Sequence, residues 1–498
     1  MTFPTRGPAG GSIAAPRPAL PIRRLAWGLL ALGPLAAPIP ALAGGTAEPA
    51  WAERTVHDPL DLDAVAKRGD AAIDALIARG KVLFTAKFTT LDGAGRPMAT
   101  QAIVPTRRKR PAAHTFQRTS GLDANACSGC HNEPFVGGAG EFVANVFVSE
   151  GFESADFDSL DPQFSTERNS NALMGSGLVE MLAREMTAEL QATRAAALAE
   201  ARASGAAVTR PLVAKGVDFG RITAEPDGML DISAIEGIDS DLVLRPFSQK
   251  GVFVSLRQFT VNALNVHHGI QADERFGLRW TGSDDFDQDG KGNEFTDGDV
   301  SAMVAWQATL PVPTRRTDLP EDWAGAAARG EALFGEIGCA SCHRPALPLD
   351  GLVFTDPGPY DMAGTLALAD VETPVSIDFS RFAFVRALPR DEAGRVLVPL
   401  FGDLKRHKIA DQRNDRLGNE LLAQRFVARD VFMTAELWGI GSTAPYGHRG
   451  DITTLDEVIR AHGAEGEASA TAYAALVPDD RLAMIAFLRS LVIEEGGE

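Results

Sequence analysis

Two short segments hold all four cysteines of the 498-residue chain: Cys127-Ser128-Gly129-Cys130-His131 and Cys339-Ala340-Ser341-Cys342-His343. With this composition one C-x-x-C-H is expected by chance on the order of 0.0006 times, so two copies are not accidental. On a helical turn, positions i, i+3 and i+4 share a face, so both thiols can reach the vinyl groups of one porphyrin while the adjacent His approaches its iron. Each copy therefore predicts a covalent c-type haem, with His131 and His343 as axial ligands. Three other chemistries compete for these cysteines. A disulfide scaffold suits short secreted chains, and a thioredoxin-like pair gives no reason for a His after both copies. A single zinc site built from all four thiolates has to bridge 212 residues and leaves the paired histidines without a purpose.

The elements that must position these motifs are legible from periodicity. A helical pattern around Ala64–Phe84 precedes the first motif, and "EDWAGAAARGEALFGEIG" precedes the second. The shared order, helix then motif, is the weak internal repeat expected of tandem units. Residues 176–204 read as one long amphipathic helix. Its Met181 and Met186, with Met174 just before it, carry sulfur that can bind iron, but their spacing fits a core stripe. Short strands and turns are expected over 212–256, and a second helical stretch over 256–268 carries the pair His267-His268. Residues 344–430 read as loop-rich, the basic run Arg107–Arg110 as a solvated loop, and Leu455–His462 and Arg481–Leu491 as helix. The expected fold is mainly α with minor β: two tandem cytochrome c-like domains with insertions, 44–300 and 301–498.

In "DDFDQDGKGNEFTDGD", Asp285, Asp287 and Asp289 alternate and Gly290 permits a sharp turn, as in half of a calcium loop. The position that usually supplies a bidentate Glu is Thr296, with Asp297 an imperfect substitute, so a plain acidic turn competes with calcium.

Charge and the N-terminus bound the setting. Arg6, Arg17, Arg23 and Arg24 meet no acidic residue in the first 43 positions, so of 48 basic side chains 44 remain against 66 acidic ones. So acidic a chain is a poor binder of nucleic acid or anionic membranes. Arg23-Arg24 precede an apolar stretch, Leu25–Ala43, broken by Pro34, Pro38 and Pro40 and closed by Ala41-Leu42-Ala43. This predicts a signal peptide over 1–43 and a soluble, exported, periplasmic protein with no stable membrane span.

Four segments, "ERNSNALMGSGLVEML", "PFSQKGVFVSLRQFT", "GEALFGEIGCASCHRPALPL" and "ELWGIGSTAPYGHRGDITTLDEVIRAHGAEG", lie within a stretch covering most of residues 110–491. In them the chain resembles the di-haem c-type oxidoreductases related to bacterial di-haem cytochrome c peroxidase, and most closely their thiol-oxidoreductase-like branch. In that family a PY-x-H-x-G element is followed, fourteen residues after its His, by the distal ligand of the electron-transfer haem. Here His448 plus fourteen is His462. The resemblance thus implies that His343 and His462 clamp the second haem, with imidazole in place of the common Met favouring a lower potential. It also implies calcium held by the carbonyls of Thr443 and Pro445 and by an Asn of the first domain that the sequence does not locate.

The reactive haem is then the one on Cys127, Cys130 and His131. The family's distal Gln-x3-Pro-x5-Glu set does not register in "SLRQFTVNALNVHHGI", where His267 falls near the Glu position. His267 or His268 is expected to act as distal acid or base, or to close the iron until reduction frees it. No Trp stands where the family passes electrons between haems, which leaves Trp280 and Trp438 as substitutes or as packing. His407 lies in a segment similar to one of the branch but receives no task. The expected activity is reduction of hydrogen peroxide, with electrons from a small redox protein, a basic cytochrome c or a copper protein, entering at the second haem. A saturated electron-transfer cytochrome and an oxygen-dependent oxidase of an organic or protein substrate are the rivals.

Overall fold

The computed structural model describes residues 51–56, 60–100, 104–109, 126–140, 143–148, 165–362, 364–418 and 426–494, with Pro49 and Thr115. The chain divides between Glu53 and Arg54, and every element below lies after that point. The leader expected over 1–43 lies outside the described residues. Among those described, no helix is long and apolar enough to cross a membrane. Helix and strand are mixed, with helix the larger share.

The helical pattern around 64–84 forms two helices, α1 (Leu62–Ala66) and α2 (Asp70–Thr85), because Gly69 takes φ +72° and interrupts the path. Helix α3 (Ser176–Ser204) runs from Gly175 to Gly205, both left-handed; Gly205 donates its N–H to the Ala201 carbonyl, a glycine stop of the expected kind. After α3 come β3 (Val208–Ala214), β4 (Val217–Ala224) and β5 (Leu230–Asp231), an antiparallel sheet joined by a two-residue turn at Lys215-Gly216 and packed on α3. Upstream, β1 (Val143–Val148) and β2 (Ser165–Asn169) pair antiparallel. Helix α4 (Leu256–Ala263) does not continue to 268 as α-helix. It widens into a single π turn, Leu264–His268, ended by Gly269 at φ +64°. Two short helices, α5 (Asp273–Phe276) and α6 (Leu278–Thr281), lead toward α7 (Asp297–Ala308).

Two helix pairs repeat one design. Helix α2 packs on α7, and α8 (Glu321–Glu336) packs on the late helix Pro478–Arg489. Both crossings run through a glycine. A Cβ on Gly80 would lie 1.9 Å from the Ala302 carbonyl oxygen, and one on Gly330 would lie 2.0 Å from that of Ala483. The same local sequence stands at each: Ala78-Arg79-Gly80-Lys81-Val82-Leu83-Phe84 and Ala328-Arg329-Gly330-Glu331-Ala332-Leu333-Phe334. Glycine lets the backbones touch, and the following Leu and Phe are buried in one continuous apolar core. The boundary expected at 300/301 falls inside α7.

A buried ionic knot fixes α4. Arg257, fully enclosed, donates through Nε to Glu274 (2.8 Å) and through Nη1 to Asp356 and Ser301 (2.8 Å each), tying α4 to α5, α7 and the strand Val353–Asp356. Removing one member of such a set strands the others without partners.

Candidate functional site

Each C-x-x-C-H segment is a tight turn. His131 N–H donates to the Cys127 carbonyl at 3.1 Å and His343 N–H to that of Cys339 at 3.0 Å, which gathers the thiols and the His on one side. All four thiols are free. Burial, reinforced by Cys130, pushes the Cys127 thiol up to about 12, and burial raises Cys339 to about 11. Protonated thiols are the opposite of what a redox C-x-x-C requires. Nor do the four sulfurs converge: among the described residues, the ligand-bearing clusters are Cys342-Asp403-His407 and Asp285-Asp287-Asp289.

The two turns sit in matching frames. The Phe84 ring lies 6.1 Å from that of His131, and the Phe334 ring 6.3 Å from that of His343, both tilted by 52°. Each His Nδ1 donates to a backbone carbonyl: His131 to Asn171 (2.9 Å), and His343 to Ala435 (3.1 Å) and Phe401 (3.2 Å). A carbonyl only accepts, so Nδ1 carries the proton and Nε2 keeps its lone pair for a metal. Burial lowers both imidazoles, with His462 adding to the effect on His343, which falls to about 4.

Opposite His343 stands His462, with ring centres 6.4 Å apart and planes at 69°. Imidazoles bonded from both sides to one metal ion at about 2.0 Å, each with its centre roughly 1.2 Å beyond the nitrogen, have centres about 6.4 Å apart. His462 Nδ1 donates to the Val458 carbonyl at 2.8 Å, so its Nε2 is likewise available. Helix α10 is needed for this placement; in chain order α9 (Ala383–Arg386) precedes it, and α10 (Leu455–Arg460) ends two residues before His462. Between the imidazoles, Cys339, Cys342, Phe334, Met484 and Leu488 help to line a cavity of about 330 Å³, within the range of cofactor pockets. The residues fit a covalent haem with two imidazole ligands.

His131 lines a second cavity, of about 160 Å³, with Met174, Val179, Leu256, Phe259 and His267. His267 and His268 point differently. His267 reaches the cavity, whereas His268 is buried with Nε2 at 3.4 Å from the Cys127 sulfur and its ring 5.8 Å from Phe88. The π turn makes this split, and it is held from beneath by Arg96, whose Nη1 donates to the Asn265 carbonyl at 2.6 Å. Of the methionines with accessible sulfur chemistry, Met181 and Met186 are buried in the apolar core and Met174 lines the His131 cavity.

The settings of several residues appear only in three dimensions. Trp438 and Glu436 line both cavities, and the Trp438 ring lies against Gly175 so closely that a Cβ there would meet it at 2.3 Å. Trp280 lines neither; it is half-exposed beneath Arg279. Burial, then Asp403, pushes the Glu436 carboxyl up to about 7. Asn169 Nδ2 donates to the Pro445 carbonyl at 3.0 Å, while its buried Oδ1 has no partner. Thr443 and Pro445 line the larger cavity. The "ERNSN" segment carried Asn169 in plain view, but nothing local marks which Asn meets a proline 276 residues on. His407 is committed on both nitrogens, to Glu465 (2.7 Å) and Asp403 (2.9 Å). Burial opposes its charge, but Asp403, Cys342 and Glu465 outweigh that and push it up to about 11, so it stands as a fixed cation beside the second thiol pair.

The acidic loop places one oxygen each of Asp285, Asp287 and Asp289 within 4.8 Å of one another. Thr296 is not a ligand there: its hydroxyl accepts from the Asp299 N–H and caps α7.

No family model and no curated protein matches the chain. Among solved structures, it is similar to hydrazine synthase of Kuenenia stuttgartiensis, in crystals pressurised with xenon, at 12% identity and TM-score 0.36, over 89% of this chain and 97% of that one. It is also similar to a MauG-like protein associated with microbial copper homeostasis, at 16% identity and TM-score 0.27, over 55% of this chain and 79% of that one. At that overlap neither neighbour's chemistry transfers, and the site stands on its own side chains.

Proposed function

We propose that the protein is an exported, periplasmic di-haem c-type oxidoreductase that reduces hydrogen peroxide. Cys127, Cys130 and His131 hold one haem in the half 44–300; Cys339, Cys342, His343 and His462 hold the other in the half 301–498. The observation that carries this reading is the His343–His462 pair, at metal-sharing distance beside a thiol pair. When bound, a haem supplies an iron that passes single electrons and, where an axial position is open, receives peroxide.

The chain's residues divide the labour. Two imidazoles close the second site to small molecules, which suits a relay. In the first site His267 faces the cavity and offers an imidazole as acid or base. Trp438, in the wall common to both cavities, offers an aromatic step between them, and Glu436 beside it a carboxyl that exchanges its proton near neutrality. Peroxide takes two electrons and two protons and leaves as two waters. The acidic net charge favours a basic cytochrome or copper protein as the donor. Asn169, Thr443 and Pro445 are the proposed oxygen donors for a calcium ion beside the larger cavity.

His267 in the smaller cavity also favours a second reading, an electron carrier with both irons saturated. Stopped-flow mixing of the half-reduced holoprotein with peroxide separates the two, since a saturated carrier does not respond. The haem assignment itself is tested by a pyridine haemochrome count, expected to be two per chain. His462→Ala is expected to turn one low-spin haem high-spin in optical and EPR spectra; an unchanged spectrum overturns the assignment.

A further inference from the structure

The side chain of Asp287 is fully buried, and neither of its carboxylate oxygens has a hydrogen-bond partner. An ionised carboxylate in that position is strongly disfavoured unless a cation meets it. Asp285 and Asp289 flank it, and the 4.8 Å limit on the three oxygens suits a single ion, because ligands at about 2.4 Å from one calcium lie no more than about 4.8 Å apart. The usual twelfth position is unavailable, with Thr296 spent on the α7 cap. Glu294, two residues earlier, is 5% exposed and lies near the three aspartates without joining the set within 4.8 Å.

Glu294 also ties the loop to the rest of the protein. Its Oε2 accepts the Gln271 N–H at 2.7 Å, the Asp273 N–H donates to the Phe295 carbonyl at 2.9 Å, and Ala272 and Phe295 form a parallel bridge. Those residues directly follow the turn that carries His267 and His268. Glu294 further packs on Gly93, where a Cβ would lie 2.4 Å from its Cγ, and Gly269 abuts the Gly95 backbone. We propose that Asp285, Asp287 and Asp289 bind one calcium ion, and that this ion, through the loop that carries Glu294, orders residues 264–276 and thereby sets the positions of His267 and His268. Three oxygen-bearing acids with no nitrogen or sulfur ligand suit calcium rather than zinc or copper. The ion site stands alone; only its bearing on the two histidines rests on the function proposed above.

The test uses the haem-loaded protein after chelation with EGTA, titrated with calcium by calorimetry, with bound metal counted by mass spectrometry and backbone exchange followed by deuterium. In the wild type, calcium is expected to raise Tm by about 3 °C at 100 times Kd and to slow exchange over 264–276 at least tenfold. Asp287→Asn is expected to bind one calcium fewer per chain and to lose the slowing, whereas Glu294→Gln is expected to keep its calcium and lose the slowing. The haem spectrum reports folding, and Asp289→Asn replaces Asp287→Asn if it fails that check. Full calcium content in Asp287→Asn overturns the site, and calcium binding by the wild type without slower exchange over 264–276, or slowing retained in Glu294→Gln, overturns the coupling. None of these readouts involves peroxide, so failure of the peroxidase reading registers separately.

Discussion

The His131 and His343 regions are built on one frame and differ in what faces the histidine. Each frame has a helix crossing its partner at a glycine, a Leu-Phe pair behind the crossing, a Phe ring tilted by 52° to the imidazole and a carbonyl on Nδ1. Across from His343 stands a second imidazole fixed by its own carbonyl, in a cavity of about 330 Å³. Across from His131 lies a smaller apolar cavity reached by His267 from a π turn. In the proposed reading the frame sets where a metal would sit, and the element opposite sets what that metal could do. The end of α10 yields a facing imidazole pair, whereas the π turn divides its two histidines between the cavity and the Cys127 sulfur.

The sharpest way to break this contrast is at the two facing histidines. His267→Ala is expected to lower peroxide turnover about a hundredfold, the scale of a lost general acid or base, while leaving the spectrum of the second haem unchanged. Equal spectral damage at both haems would erase the distinction. A smaller effect tests the common frame: Gly80→Ala and Gly330→Ala each drive a Cβ into a backbone carbonyl and should cost about 2 kcal/mol of stability apiece. Denaturant unfolding checks this, and a cost at one site alone would mean that the frames are not equivalent. The smallest effect concerns the wall between them. Glu436 keeps its proton in the folded protein to about pH 7, so stability declines as pH rises from the ordinary carboxyl value toward 7. Turnover that draws on that proton should fall severalfold as pH rises through about 7, and Glu436→Gln should flatten the profile.

Much of the frame was legible because it is local. The thiol pairs, the upstream helices and the full span of α3 follow from spacing and periodicity. The repeated Ala-Arg-Gly-x-x-Leu-Phe also stands in the chain and aligns its two halves. Helix 256–268 was only partly legible, because nothing in its periodicity announces the widening at Leu264. Gly69 splits the first helix for a reason visible only in its positive φ. The candidate sites were less legible, since Asn169, Glu294, Glu436 and Trp438 acquire their settings from tertiary contacts. Glu294 in particular owes its tie to Gln271 to a contact that no loop pattern marks.

Nine residues, Trp438 and Glu436 among them, border both cavities. A partition so thin cannot drift to suit one chamber without altering the other. Substitutions there should therefore covary across relatives as a block, and an engineer who wishes to retune one chamber alone has to work from its far side.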